Sequence, residues 1–332
     1  MPFNHFVQQA NRLGAQRTPF FFLIDFEQQK PIICPLTQCA EQGIWFEFAS
    51  QNNLSATQKK AAPKQPFKLE KFPIDFATYQ QGFEIVQQAL QQGNSYLLNL
   101  TYATPIAINY DLNTLFSATQ AKYKLLFKNE FVCFSPEPFV KISHNQIFTY
   151  PMKGTINANL PDAENQLLNC EKEQREHYTI VDLMRNDLAI VGQNVQVKRF
   201  RYLEKIFTER GAIWQTSSEI CADLKKNWQA NIGTMLSQLL PAGSISGAPK
   251  EKTVATIQQA ELAPRGYYTG VFGIFNGESL ESAVAIRFIS QQNGNYAFHS
   301  GGGITIQSQA AQEYQELLEK IYVPLKFQQG TK

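Results

Sequence analysis

Two pairs of glutamates carry the strongest chemical signal in the sequence. In the run Glu173-Gln174-Arg175-Glu176-His177 two acids stand three apart, a spacing that puts their side chains next to each other on one helix face. The pair recurs near the end of the chain as Glu313 and Glu316, with Lys320 four residues further along the same face. Like charges side by side weaken an isolated helix. A hard divalent cation such as Mg2+ is an economical remedy, because it takes carboxylate and water oxygens and keeps positions open for substrate oxygens. A solvated acidic face is the other reading of either pair alone; together they suit one metal held from two helices.

Lys153, in Pro151-Met152-Lys153-Gly154-Thr155, stands at the end of a strand. On a solvated turn it is an ordinary surface residue. In a metal-lined cavity with other cations nearby its ammonium is disfavoured, and the free amine becomes a nucleophile. Arg287 lies late in the apolar stretch 283–289, where a guanidinium needs an internal carboxylate or an anionic substrate. Gly301, Gly302 and Gly303, read as a turn between a strand and the terminal helix, let backbone N–H groups approach an anion, or merely make a tight connection. The run GSISGAPK at 243–250 also precedes a helix and offers N–H donors and hydroxyls. Its spacing is not that of a phosphate-binding P-loop.

The elements that must position these residues follow from periodicity. Tyr79, Phe83, Val86 and Leu90 recur at helical spacing, with Asp75 as cap and Gly93 as stop. Strands are expected at 19–26, 44–48, 95–104, 131–142, 147–152, 267–275, 282–289 and 295–299. A long helix is expected over 163–188, a shorter one over 232–240, another opened by Pro249, and a last one over 310–322. The polar segment 51–65, with Lys59, Lys60 and Lys64, reads as a surface loop. Strands and helices mix without strict βαβ alternation, which favours an α+β architecture.

Composition narrows the class. The 332 residues are 43% hydrophobic and 17% charged, with a formal net charge of +2, so no field points to nucleic acid. Five cysteines (34, 39, 133, 170 and 221) show no metal-ligand or redox-pair spacing, which fits buried free thiols in a reducing compartment. No signal peptide and no bilayer-length apolar run is evident, so a cytoplasmic location is expected.

With these residues in view, the chain resembles the chorismate-utilising enzymes, among them the component I subunits of anthranilate synthase and aminodeoxychorismate synthase and the isochorismate and salicylate synthases. The shared landmarks run in order: GNSYLLNLT (93–101), SPEPF (135–139), PMKGT (151–155), EQREHYTIVDLMRNDL (173–188), PAGSISGAPK (241–250), RGYYTG (265–270), AIRF (285–288), GGGI (301–304) and EYQELLEK (313–320). The resemblance implies an α+β fold, a large αββα sandwich. Residues 1–70 would form a strand-rich portion integrated into it, and 71–327 the chorismate-binding catalytic domain. It also implies Mg2+ bound by Glu176 and Glu316, with Glu313 and Glu173 holding its waters or handling protons. Chorismate would be lined by Thr155, Ser246, Tyr268, Arg287, Lys320 and the backbone of Gly301, Gly302 and Gly303.

Within the family, a lysine in the Pro-x-Lys-Gly-Thr motif goes with the aminodeoxychorismate branch. There it implies attack by Lys153 on ring C2 as the C4 hydroxyl leaves, followed by ammonia at C4. Leu97 and Gln215 stand where a glutamine and a histidine are common in the family. No Gly-x-Cys-x-Gly elbow is present, so ammonia from glutamine requires a separate glutaminase subunit. The alternatives are anthranilate synthase component I and a non-catalytic chorismate-binding protein.

Overall fold

A computed structural model describes residues 1–55, 65–208 and 211–326; Lys59, Lys60 and Lys64 lie outside them. Two antiparallel sheets make the body. The first runs β10 (Met152–Asn157), β12 (Gly211–Asp223), β9 (Gln146–Thr149), β8 (Pro138–Ser143), β15 (Leu280–Val284), β14 (Val271–Phe275), β1 (Phe20–Ile24), β2 (Ile32–Pro35), with β11 (Gln193–Thr208) along β12. The second runs β13 (Gly247–Ala248), β5 (Leu97–Ile108), β17 (Asn295–Ile304), β16 (Phe288–Gln292), β7 (Phe131–Ser135), β6 (Tyr123–Phe127), β3 (Ile44–Glu47), with β4 (Leu69–Lys71) on β5.

Strand β1 shows why the sheets stack. Its five residues, FFFLI, are all buried, as a strand covered on both faces requires. Phe21 and Leu23 enter a cluster with Phe46, Leu125, Phe127 and Phe272 between the two sheets. Phe20, Phe22 and Ile24 join the cluster that holds Phe6 and Ala10 of α1 (Phe3–Ala15). Each such side chain contributes about 1.5–3 kcal/mol of burial. Helices α1, α4 (Ala163–Asn169), α5 (Glu171–Val191) and α6 (Ile232–Leu239) cover the first sheet. Helices α2 (Phe76–Gln91), α3 (Leu112–Ala118), α8 (Lys250–Ala260) and α9 (Ala310–Glu319) cover the second, and the short α7 (Gly243–Ser246) packs between α5 and α8. The layers are therefore helix, sheet, sheet, helix, as the resemblance implied.

Helix α2 starts where Asp75 accepts the Thr78 amide at 2.7 Å, and the chain leaves it through Gly93 at φ +72°. Four expectations are corrected. The stretch 131–142 is two strands in different sheets, β7 and β8. The stretch 282–289 is likewise β15 and β16, joined by a corner at 285–287 where Arg287 takes φ +52°. Apolar runs at such corners continue because the core does, so hydrophobicity alone conceals the break. The helix expected over 163–188 breaks at Cys170, whose ψ of 109° is extended. Finally, Gly301–Gly303 is no turn: it lies inside β17, opposite Thr101, Leu100 and Asn99 of β5. The N-terminal helix α1 was not expected at all. No helix of the described residues is long and apolar enough to cross a membrane.

Candidate active site

The break at Cys170 has a use. It starts α5 at Glu171, so Glu173 falls in the first turn, as Glu313 does in α9; carboxylates are favoured at that end of a helix dipole. Glu313 and Glu316 reach β17 at Gly302, and Lys153, which pairs with Glu176, reaches it at Gly303. A methyl placed on Gly302 would lie 3.3 Å from Glu316 Oε1, 3.4 Å from Glu313 Oε2 and 3.6 Å from Lys320 Nζ, and one on Gly303 would lie 3.9 Å from Lys153 Nζ. The glycines thus make room for side chains of α9 and of β10. Lys320 Nζ also donates to the Gly301 carbonyl at 2.8 Å.

Lys153 is brought into this group. Its Nζ lies 2.9 Å from Glu176 Oε2, and Lys172 Nζ is 3.8 Å from the other oxygen of Glu176. Burial pulls the Lys153 pKa down, but Glu176, Glu316 and Glu173 outweigh it and leave the pKa raised. The expectation of a disfavoured ammonium is therefore corrected: as the side chains stand, carboxylates and not cations dominate its surroundings. Glu173 and Glu313 are both raised, first by burial and then by like-charged neighbours, Glu176 and Glu316 respectively. For Glu316 burial also acts against the charge, yet Lys320, 2.6 Å away, wins and lowers its pKa. Lys320 itself is lowered by burial, helped by Arg287 and Lys153 and opposed by Glu316.

A second group adjoins the first. Glu137, from SPEPF at the corner between β7 and β8, accepts a hydrogen bond from the Ser244 hydroxyl. Burial raises its pKa against the pull of Ser244, Arg287 and Lys320. Arg287 donates to the Tyr322 hydroxyl at 3.4 Å and lies over its ring; no carboxylate among the described residues pairs with it within 4 Å. Tyr268 is buried beside His299 and within electrostatic reach of Arg287 and Glu137. Of the remaining expected residues, Thr155 is exposed opposite Gln215. Ser246 is fully buried with its hydroxyl donated to Ala242 O at 2.8 Å; the hydroxyl of that segment that reaches the site is Ser244's.

Sequence reasoning missed Glu137, Ser244, His177 and Thr216. Glu137 left one signal: an acid between two prolines at the join of two apolar strands. His177, fully buried, shares the Lys153 carbonyl with Thr216. Its pKa is lowered by burial and Arg201, against the Lys153 carbonyl. Among the described residues no three acidic, cysteine or histidine side chains enclose an ion as they lie; Glu176 and Glu316 are each turned to an ammonium. The donor set itself, carboxylates from α5 and α9, is of the hard-oxygen kind magnesium takes.

A sandwich of this kind, with carboxylates and lysines gathered beside one glycine strand and Arg287 without a carboxylate partner among the described residues, has the charges to bind a small anion. The chain belongs to the family of chorismate binding enzymes, whose profile matches residues 7–326. It is 63% identical over 325 residues to a protein of Pasteurella multocida described as uncharacterised and PabA-like, covering 98% of this chain and 100% of that one. It is 31% identical over 265 residues to aminodeoxychorismate synthase component 1 of Escherichia coli; the match takes in 75% of this chain and 57% of that protein. Its fold is similar to the menaquinone-specific isochorismate synthase of Escherichia coli, with a TM-score of 0.70, 19% identity and coverage of 96% of this chain and 80% of that one.

Proposed function

We propose that the protein is the component I type of aminodeoxychorismate synthase, converting chorismate and ammonia to 4-amino-4-deoxychorismate and water. The observation that carries the reading is the place of Lys153: its amine lies among the glutamates, 2.9 Å from Glu176 and facing the glycine strand. Binding alone gives no reason to put a nucleophile there. The substrate carboxylates fit Arg287, which has no carboxylate partner within 4 Å among the described residues, and Lys320, with Tyr268 behind them.

Glu176, Glu316 and Glu313 would hold Mg2+, which would supply the charge that neutralises the ring carboxylate; Glu176, engaged there, would no longer pair with Lys153. Glu173, whose carboxylate is made more basic by burial and by Glu176, takes the proton that Lys153 must lose. The free amine bonds to C2 while the C4 hydroxyl departs. Glu137, buried and with a raised pKa, gives that hydroxyl its proton and lets it leave as water. Ammonia then bonds to C4, the C2–nitrogen bond breaks, and Lys153 leaves as an amine. Two displacements replace one difficult one, and the adduct decides which carbon receives nitrogen. Ammonia comes from a glutaminase subunit in this reading, since the chain lacks a glutaminase elbow.

The test is an assay with chorismate, Mg2+ and ammonium, with an aminodeoxychorismate lyase added to report 4-aminobenzoate. 4-Aminobenzoate is expected only when the lyase is present. Anthranilate fluorescence without it would refute the assignment.

A further inference from the structure

Lys153 stands where β10 slips against β12. Met152 opposes Ser217 and Thr155 opposes Gln215, so Lys153 and Gly154 share the position opposite Thr216, and Gly154 takes φ +93°. Such a bulge inserts an extra residue and re-aims side chains, at the cost of a disrupted ladder. Two side chains take the Lys153 carbonyl. The Thr216 hydroxyl donates to it, and His177 Nδ1 lies 3.3 Å from it.

The proton on His177 can be placed. Ser218 Oγ accepts the Arg201 amide at 3.0 Å and lies 2.7 Å from His177 Nε2. The Lys153 carbonyl can only accept, so the imidazole hydrogen sits on Nδ1 facing it, and the neutral ring's Nε2 accepts from the Ser218 hydroxyl. Arg201 in turn donates to the carbonyls of Leu167 and Leu168, just before α5. His177 is fully buried, while its neighbour Glu176 reaches Lys153 Nζ from the same helix turn.

Resting on the role given to Lys153 above, we infer that His177 is a positioning residue. Its Nδ1–H bond holds the bulge that turns the Lys153 amine toward substrate, and ties that strand to the helix carrying Glu173 and Glu176. It touches no reacting atom, so its effect passes through Lys153.

The experiment compares His177→Leu and His177→Asn, each alone, with His177→Leu also on a Lys153→Ala background, using amination of chorismate with ammonium. His177→Leu is expected to lower kcat by about tenfold to a hundredfold, with KM for chorismate within about twofold, as misplacement of a reacting group does. Asn keeps an N–H at the position of Nδ1, so it recovers to within about fivefold of wild type. On the Lys153→Ala background His177→Leu lowers the residual rate no further. Thr216→Val, which removes the other donor to the same carbonyl, gives the same loss in kcat and provides the reading if His177→Leu does not fold. An undiminished rate in His177→Leu overturns the inference. So does equal impairment of Asn and Leu, a full additional loss on Lys153→Ala, or, in the fallback, an undiminished Thr216→Val. An active Lys153→Ala enzyme would instead sink the covalent mechanism itself.

Discussion

Gly302→Ala separates room for substrate from conformational need. None of Gly301, Gly302 and Gly303 has positive φ, so these glycines serve close approach and not a special backbone shape. The new methyl at 302 would meet only the ends of Glu316, Glu313 and Lys320 side chains, at 3.3, 3.4 and 3.6 Å. Those can give by a few tenths of an ångström, and alanine is the better strand residue, so the net change in stability stays within about 1 kcal/mol. On the proposed reading, the methyl nevertheless stands where the substrate's carboxylate has to approach. Loss of at least about a hundredfold in kcat/KM is expected, equivalent to about 2.7 kcal/mol of transition-state binding. Gly301→Ala is the control of opposite kind. Its methyl would lie 2.3 Å from the Leu100 carbonyl oxygen and 2.7 Å from Thr101 Cα, so β5 must move, at about 1–3 kcal/mol or more. Thermal melts together with chorismate consumption in Mg2+ and ammonium distinguish the two. The reasoning fails if Gly302→Ala keeps kcat/KM within about threefold of wild type, or if its activity falls only in step with its melting temperature.

Three further outcomes are expected. Arg265 is buried and donates to Glu261, Ile245 O and Asn99 O; Arg265→Met leaves the Glu261 carboxylate without its counter-ion, held only by Thr101, and costs about 3–5 kcal/mol in urea unfolding, and an unchanged midpoint would contradict this. His299 has its pKa lowered by burial to about 4, so between pH 6.5 and 4 the unfolded chain binds a proton that the folded one refuses. Stability is then fully present at neutral pH and falls as pH drops through that window, by about 2 kcal/mol once partial exposure is discounted; His299→Gln should flatten the slope of melting temperature against pH, and an unaltered slope would show that another group is responsible. Gly154→Ala forces a methyl into φ +93° and to 2.8 Å from Glu173 Oε2, so it should cost about 1–2 kcal/mol and abolish amination; a variant with wild-type melting and turnover would remove the bulge from the account.

The site was legible in the sequence to the extent that its chemistry recurs locally. Glu173 with Glu176, and Glu313 with Glu316 and Lys320, announce themselves by helical spacing; the second group lies at Gly302, and the first meets it through Lys153. What could not be read are contacts made by chain reversal. Arg287 was expected within one strand, but it marks a corner between two sheets, because an apolar core on both sides of the corner leaves no polar punctuation. Gly301–Gly303 mimics a turn in sequence and is a strand in space. Glu137 and Ser244 are 107 positions apart, and His177 meets Lys153 only through a bulge whose register no local pattern encodes. Lys153 was found from its motif, yet its charge depends on Glu176, Glu173 and Glu316 arriving from elsewhere.

Mass spectrometry of the intact enzyme tests the central claim most directly. Wild-type protein incubated with chorismate and Mg2+, and with ammonium withheld, should gain the mass of chorismate less one water on the peptide that contains Lys153, and should lose it when ammonium is added. If the same preparation forms 4-amino-4-deoxychorismate at full rate once ammonium is supplied, yet Lys153 stays unmodified while ammonium is withheld, the account is contradicted.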